Sequence, residues 1–263
     1  MSLATTRPEL FDSHAHLDAP AFDADRTEVL LAARAAGVVA AVVPAVTAAS
    51  WPSLHELCSR TPMLYPAYGL HPCYLAQHHA ADLAALADWV ATHPAVAIGE
   101  CGLDYFEPGL DRERQLGLLR GQFEIAHRFA LPLVLHARRG FEAMILELRR
   151  FGRPLRGVVH SFSGSLEQAR QLWQLGFCVG IGGPVTYARA RRLRQVVAAV
   201  PVQSLLLETD SPDQPGARHR GQRNEPAFLA DVLRCVAELR GDEPDALALQ
   251  TSRNARRLFL HAD

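Results

Sequence analysis

The sequence predicts an α/β protein closed into a TIM-type (β/α)8 barrel, with its functional site at the C-terminal ends of the strands. Eight short apolar segments alternate with segments of helical periodicity along 263 residues, a length that such a barrel fills. The segments are apolar on both faces, as expected of parallel strands covered by helices. Histidines and acids recur directly after them. An open doubly wound sheet is the alternative, but no G-x-G-x-x-G follows the first apolar segment. No Pro/Gly/Ser-rich linker and no fixed-period repeat interrupts the chain, so residues 1–263 read as a single domain.

The elements follow in order. Leu10, Phe11 and Asp12 lead into Ser13-His14-Ala15-His16, where residues two apart on extended backbone point to one face. Residues 27–36 carry Val29, Leu30 and Ala33 at helical spacing and stop at Gly37. Residues 38–44 are a strand, 51–58 a helix and 64–70 a strand that ends on Gly69-Leu70-His71-Pro72. Asp82 is the expected N-cap of a helix with Leu83, Leu86 and Val90 on one face. Residues 96–98 form a short strand delivering Gly99 and Glu100, and the helix over 111–129 buries Leu116, Leu119, Phe123 and Ala126. Residues 133–135 deliver His136, and a helix over 141–148 precedes Gly152. Residues 157–159 deliver His160, and Ser165 with Gln168 forms a capping box for a helix through Leu175. Strands over 177–181 and 205–207 flank a helix over 193–197, the second strand delivering Glu208 and Asp210. Helices over 226–239 and 244–259 close the chain.

Composition narrows the function classes. A net charge of −1 opposes a protein that coats nucleic acid non-specifically, but not an enzyme that handles a strand end in a local basic cleft. Every one of the 27 basic residues is arginine, which reads as coding bias and assigns runs such as Arg189 to Arg194 to a solvated helix face. No apolar run reaches eighteen residues, so no membrane span is expected. The first residues lack an apolar signal core, and the five cysteines are scattered. Both features fit a cytoplasmic protein with reduced thiols, expected as a monomer.

In a barrel, the C-terminal strand ends converge on one mouth. His14, His16, His71, Glu100, His136, His160 and Asp210 would meet there and nowhere else. Histidine with carboxylate and no cysteine suits an open catalytic site for zinc, manganese, nickel, iron or magnesium. His14, His16, Glu100, His136, His160 and Asp210 exceed the needs of one tetrahedral ion, whereas two divalent ions bridged by Glu100 would use them all. Asp210 can also accept the proton of an attacking water, which makes Glu100 and Asp210 the candidate catalytic carboxylates. Hydrolysis without a protein nucleophile is the implied reaction class, and no G-x-S-x-G elbow competes with it.

The chain resembles the TatD family of metal-dependent deoxyribonucleases. The likeness lies in Leu10 to Asp18 and in Gly-Leu-His-Pro (69–72), Gly-Glu-Cys-Gly-Leu-Asp-Tyr (99–105) and Pro-Leu-Val-Leu-His-Ala-Arg (132–138). It continues through His-Ser-Phe-Ser-Gly (160–164), Leu-Leu-Glu-Thr-Asp-Ser-Pro (206–212), Arg-Asn-Glu-Pro (223–226) and Asn-Ala-Arg-Arg-Leu-Phe (254–259). The resemblance implies a barrel hydrolase of the amidohydrolase-like superfamily, with the same six residues as ligands of two ions (Mg²⁺, Mn²⁺ or Zn²⁺). It further implies a 3′-to-5′ exonuclease on single-stranded DNA ends, with His71 and Arg138 lining the site. Arg223 is an equally weighted candidate for substrate contact or loop anchor. Asp213, after Pro212, places a negative charge near the mouth. With an aromatic content of 7%, it keeps open a small-molecule ester, amide or phosphate as the alternative substrate.

Overall fold

The structure, a computed structural model, describes residues 8–261. Its eight strands are β1 (Leu10–Asp12), β2 (Val38–Pro44), β3 (Leu64–Tyr68), β4 (Ala97–Asp104), β5 (Leu133–Arg138), β6 (Gly157–Val159), β7 (Phe177–Ile181) and β8 (Leu205–Leu207). Each pairs in parallel with the next in chain order. The ring closes between the outermost strands, where the Ser13 N–H donates to Leu207 O at 2.9 Å and the Asp210 N–H to His14 O at 2.8 Å. Asp12 reinforces that seam by accepting both the Thr209 N–H (3.0 Å) and its hydroxyl (2.6 Å). This is the predicted TIM barrel.

The helices are α1 (Arg26–Ala35), α2 (Trp51–Arg60), α3 (Asp82–Thr92), α4 (Arg112–Arg128), α5 (Phe141–Phe151), α6 (Leu166–Gln174), α7 (Arg191–Ala199), α8 (Leu229–Arg240) and α9 (Pro244–Phe259). The expected capping box is present: the Ser165 hydroxyl accepts the Gln168 N–H at 3.2 Å, and Gln168 returns the bond to the Ser165 N–H at 2.9 Å. Asp82 is not an N-cap. It is the first residue of α3, and its carboxylate accepts the N–H of His79 in the preceding turn. The largest departure is β4, which runs six residues past the predicted Ile98 end, so that Glu100 stands within the strand rather than after it. The reason is packing. Gly102 has φ +147°, and a Cβ there would lie 2.0 Å from His136 O, so only glycine carries the strand through this point.

Alternation along the strands creates two apolar layers. Leu10, Val43, Tyr68, Ile98, Leu135, Val159, Val179 and Leu207 face the helices. Phe11, Val42, Ala67, Ala97, Val134, Val158, Cys178 and Leu206 fill the barrel interior. Ala255, Leu258 and Phe259 of α9 seal this inner layer beside Tyr65 and Val96, at the N-terminal ends of the strands. Phe11 stacks between Tyr65 and Phe259, with ring centroids 6.1 and 6.2 Å away. With the interior plugged from that side, polar side chains are left for the opposite mouth. The Phe259→Ala variant is expected to lose about 3–5 kcal/mol of stability, read as a lower denaturant midpoint with an unchanged slope.

Candidate metal centre

Three of the side chains at the mouth come from β4 and the segment after β1, where a shift of register between Ile98 and Cys101 and a bend at Ser13 interrupt the alternation and turn them inward. After β1 the chain bends at Ser13, and the Ala15 N–H donates to Val42 O at 3.0 Å. His14 and His16 bring their Nε2 atoms to 3.2 Å from each other. In β4, Glu100 carries its carboxylate to the centre, only 2% exposed. One of its oxygens, Oε2, lies 3.2 Å from His14 Nε2 and 3.4 Å from His16 Nε2. The other, Oε1, lies 2.7 Å from His160 Nε2 and 3.1 Å from His136 Nδ1. Asp210 Oδ1 faces the first pair, 3.5 Å from His14 Nε2 and 3.7 Å from His16 Nε2. The geometry thus brings all six predicted donors together, with one carboxylate between two histidine pairs.

The outer atoms of these side chains fix their inner ones. His16 Nδ1 lies 3.2 Å from Pro44 O, which can only accept, so the proton sits there and Nε2 offers a lone pair. His136 Nε2 lies 3.0 Å from Asp104 Oδ2, which leaves Nδ1 free for the centre. Burial raises the Asp104 carboxyl, but the His136 hydrogen bond and the Glu107 and Phe106 N–H groups outweigh it and hold Asp104 below the usual carboxylate range. His71 shows the opposite tautomer. Its Nδ1 accepts the Cys73 N–H at 3.1 Å, so its Nε2 bears the proton and donates to Glu100 Oε1 at 2.9 Å. His71 therefore braces the central carboxylate.

The electrostatics are set by the carboxylates: burial lowers His16 and His160, but Glu100 outweighs it and raises them to about 9 and about 10. Burial alone would raise Glu100, but His160, His71 and His14 bring it well below its ordinary value. Burial and the neighbouring His160 lower His14 to about 4, so it is a neutral lone-pair donor at pH 7. Inward nitrogens from different residues approach closely, 3.2 Å for His14 and His16 and 3.3 Å for His136 and His160. Lone pairs so placed around carboxylate oxygens suit divalent cations. The groups His14–His16–Glu100, Glu100–His136–His160 and His14–His160–Asp210 each converge closely enough to hold one.

One further acid and three glutamines complete the surroundings. Burial pushes the Glu208 carboxyl up to about 8. It receives the Ser161 N–H, next to His160, and the Ser13 hydroxyl at 3.4 Å. Gly180 leaves room for it, since a Cβ there would lie 2.0 Å from Glu208 Oε2. Gln214 donates its amide to Asp210 Oδ2 and shares a hydrogen bond with the Ser161 hydroxyl, so only Oδ1 of Asp210 faces the centre. From α4, buried Gln115 clasps the backbone of Asp104 (2.7 and 2.9 Å) and buried Gln122 that of Leu70 (2.8 and 3.2 Å). Seven residues apart on one helix face, they pin the ends of β4 and β3.

The other predicted contacts divide. His71 and Arg138 line the mouth, a cavity of about 1080 Å³ whose lining also includes Asp18, Tyr74 and Asp213. Arg138 is exposed and lies over Phe106, 3.6 Å from the ring centroid. Arg223 does not join them. Asp25 holds it through two bonds of 2.8 and 2.6 Å and Glu225 through one of 2.9 Å, so it anchors a loop.

The family profile described as TatD related DNase matches residues 11–260. The chain belongs to that family. It is 42% identical over 250 residues to the uncharacterized metal-dependent hydrolase YjjV of Escherichia coli K12, covering 94% of this chain and 96% of the relative. It is 33% identical over 257 residues to the 3′-5′ ssDNA/RNA exonuclease TatD of Erwinia billingiae, covering 95% and 98% of the two chains. The crystal structure of YjjV, a TatD homologue, superposes with a TM-score of 0.93 at 41% identity, covering 95% of this chain and 98% of that one. The chain is thus a TatD-type metal-dependent hydrolase.

Asp104→Asn is expected to weaken binding of divalent ions about 10- to 100-fold by releasing the His136 tautomer. Titration calorimetry on the folded variant checks this, and unchanged affinity would refute the assigned role.

Proposed function

We propose that this hydrolase is a 3′-to-5′ exonuclease on single-stranded DNA ends, with two divalent ions (Mg²⁺, Mn²⁺ or Zn²⁺) held by His14, His16, Glu100, His136, His160 and Asp210. The observation that carries the reading is the central Glu100, whose two oxygens each face a separate histidine pair. A relative that is 33% identical and named a 3′-5′ ssDNA/RNA exonuclease supports the substrate class. Divalent ions bound there would supply Lewis-acid stabilisation to the phosphate oxygens and acidify a water.

The chain's own residues do the rest. Asp210 takes the proton of the attacking water on Oδ1, because Gln214 holds its Oδ2. Glu100 keeps the two halves of the site in register, and His71 fixes the Glu100 carboxylate from Nε2. Arg138, steadied on Phe106 at the rim, grips a phosphate oxygen of the strand.

Asp18 and Asp213 on the mouth lining favour a second reading, hydrolysis of a small ester, amide or phosphate by the same residues. One experiment separates the two. With Mg²⁺ or Mn²⁺, a 5′-labelled single-stranded oligonucleotide is expected to shorten stepwise, while a 3′ label is released at once as mononucleotide. Asp210→Asn should lower the rate at least ~10²-fold. Intact oligonucleotides after incubation with metal-loaded protein would turn the assignment to the small-molecule hydrolase.

A further inference from the structure

The mouth does not end at the metal centre. A second cavity of about 610 Å³ adjoins it on the side of the loops after β4, β5 and β6. The two cavities share Arg138 and Ser163 as walls. Arg138 and Arg139 both lie over Phe106, their guanidinium carbons 3.6 and 4.6 Å from the ring centroid. Arg192, at the start of α7, faces the same cavity and donates to Ser163 O at 2.7 Å. These three exposed arginines meet a single carboxylate on the cavity lining, Glu142, and none forms an ion pair among the described residues.

The opposite side of the mouth has the opposite sign. Asp18 follows β1 and Asp213 follows β8. An anionic backbone entering the centre can therefore continue over the β5–β6 side, where cations wait, and is repelled on the β8–β1 side. Phe106 is 41% exposed and holds both guanidinium groups over its ring, which keeps their charge at the cavity wall.

We infer that this second cavity is a strand-tracking groove, in which Arg139 and Arg192 hold phosphates of single-stranded DNA on the 5′ side of the scissile bond. Arg138 stands at the junction between groove and centre. The direction rests on the 3′-to-5′ reading above, since the terminal nucleotide then occupies the acidic side and the body of the strand the basic one. Longer substrates gain contacts that a dinucleotide cannot reach.

The test compares a 12-nucleotide oligothymidylate with the thymidine dinucleotide, using the full-length metal-loaded enzyme and its Arg139→Ala/Arg192→Ala variant. The ratio of kcat/KM on the long substrate to that on the short one is expected to fall about tenfold in the variant, mainly through KM. Binding is measured separately, by anisotropy of the labelled 12-mer on Asp210→Asn protein. Adding the two alanines should make the slope of log Kd against log salt shallower by about 1.4, from two lost contacts at ~0.7 each. The Arg139→Lys/Arg192→Lys pair should keep the slope, because it keeps the charge. An unchanged ratio and slope would overturn the groove. Arginine-dependent binding of the 12-mer without any shortening by the wild-type enzyme would overturn the nuclease reading and leave the groove standing.

Discussion

Glu100 is buried at the meeting point of five histidines, and the arrangement of the mouth follows from satisfying it. A carboxylate removed from water must be compensated by hydrogen bonds or cations. Here His71 gives it a proton-bearing nitrogen, while His14, His16, His136 and His160 surround it with atoms suited to share a cation. Each surrounding imidazole then needs a partner for its outer nitrogen or a buried place without one. Pro44 O and Asp104 serve His16 and His136. The outer Nδ1 atoms of His14 and His160 are buried without a hydrogen bond, and Glu208 lies 3.9 Å from the latter. The demands spread outward in this way until they reach the backbone of β4 and the helix α4.

Much of this was legible in the sequence, because two periodicities carry it. Apolar segments of strand length alternating with helical ones announced the barrel, and polar residues directly after them announced the mouth. The residues that escaped did so for a local reason. Ending the fourth strand at Ile98 hid Asp104, yet Glu100, Gly102 and Asp104 are spaced two apart and share one face once the strand is extended through Gly102. The same spacing links Asp12 to His14 and Glu208 to Asp210, and either pair would have marked the supporting acid. No comparable signal was available for Arg223. Its placement depends on Asp25, almost two hundred residues away in the chain and brought near only by the closed ring. Gln115 and Gln122 were equally silent, since a polar residue on a helix reads as solvated until the backbone beneath it is known.

The buried donors and the charged rim are thus housed in different parts of the fold. The converging donors stand on strands or within four residues of their ends, held by backbone and buried partners. The charged rim stands on the last residue of β5 (Arg138), on loops (Asp18, Arg139 and Asp213) and on the start of α7 (Arg192).

The seam between the first and last strands has a consequence of its own. Both strands are only three residues long, and they and the segments after them are joined by the Ser13, His16 and Asp210 amide bonds and the Asp12–Thr209 latch rather than by a continuous ladder. A ring opens most readily where it has fewest rungs, and amide exchange reports such openings directly. Parting these two strands would separate His14 and His16 from Asp210. The breathing of the barrel and the lifetime of whatever those three side chains hold are therefore governed by the same hinge.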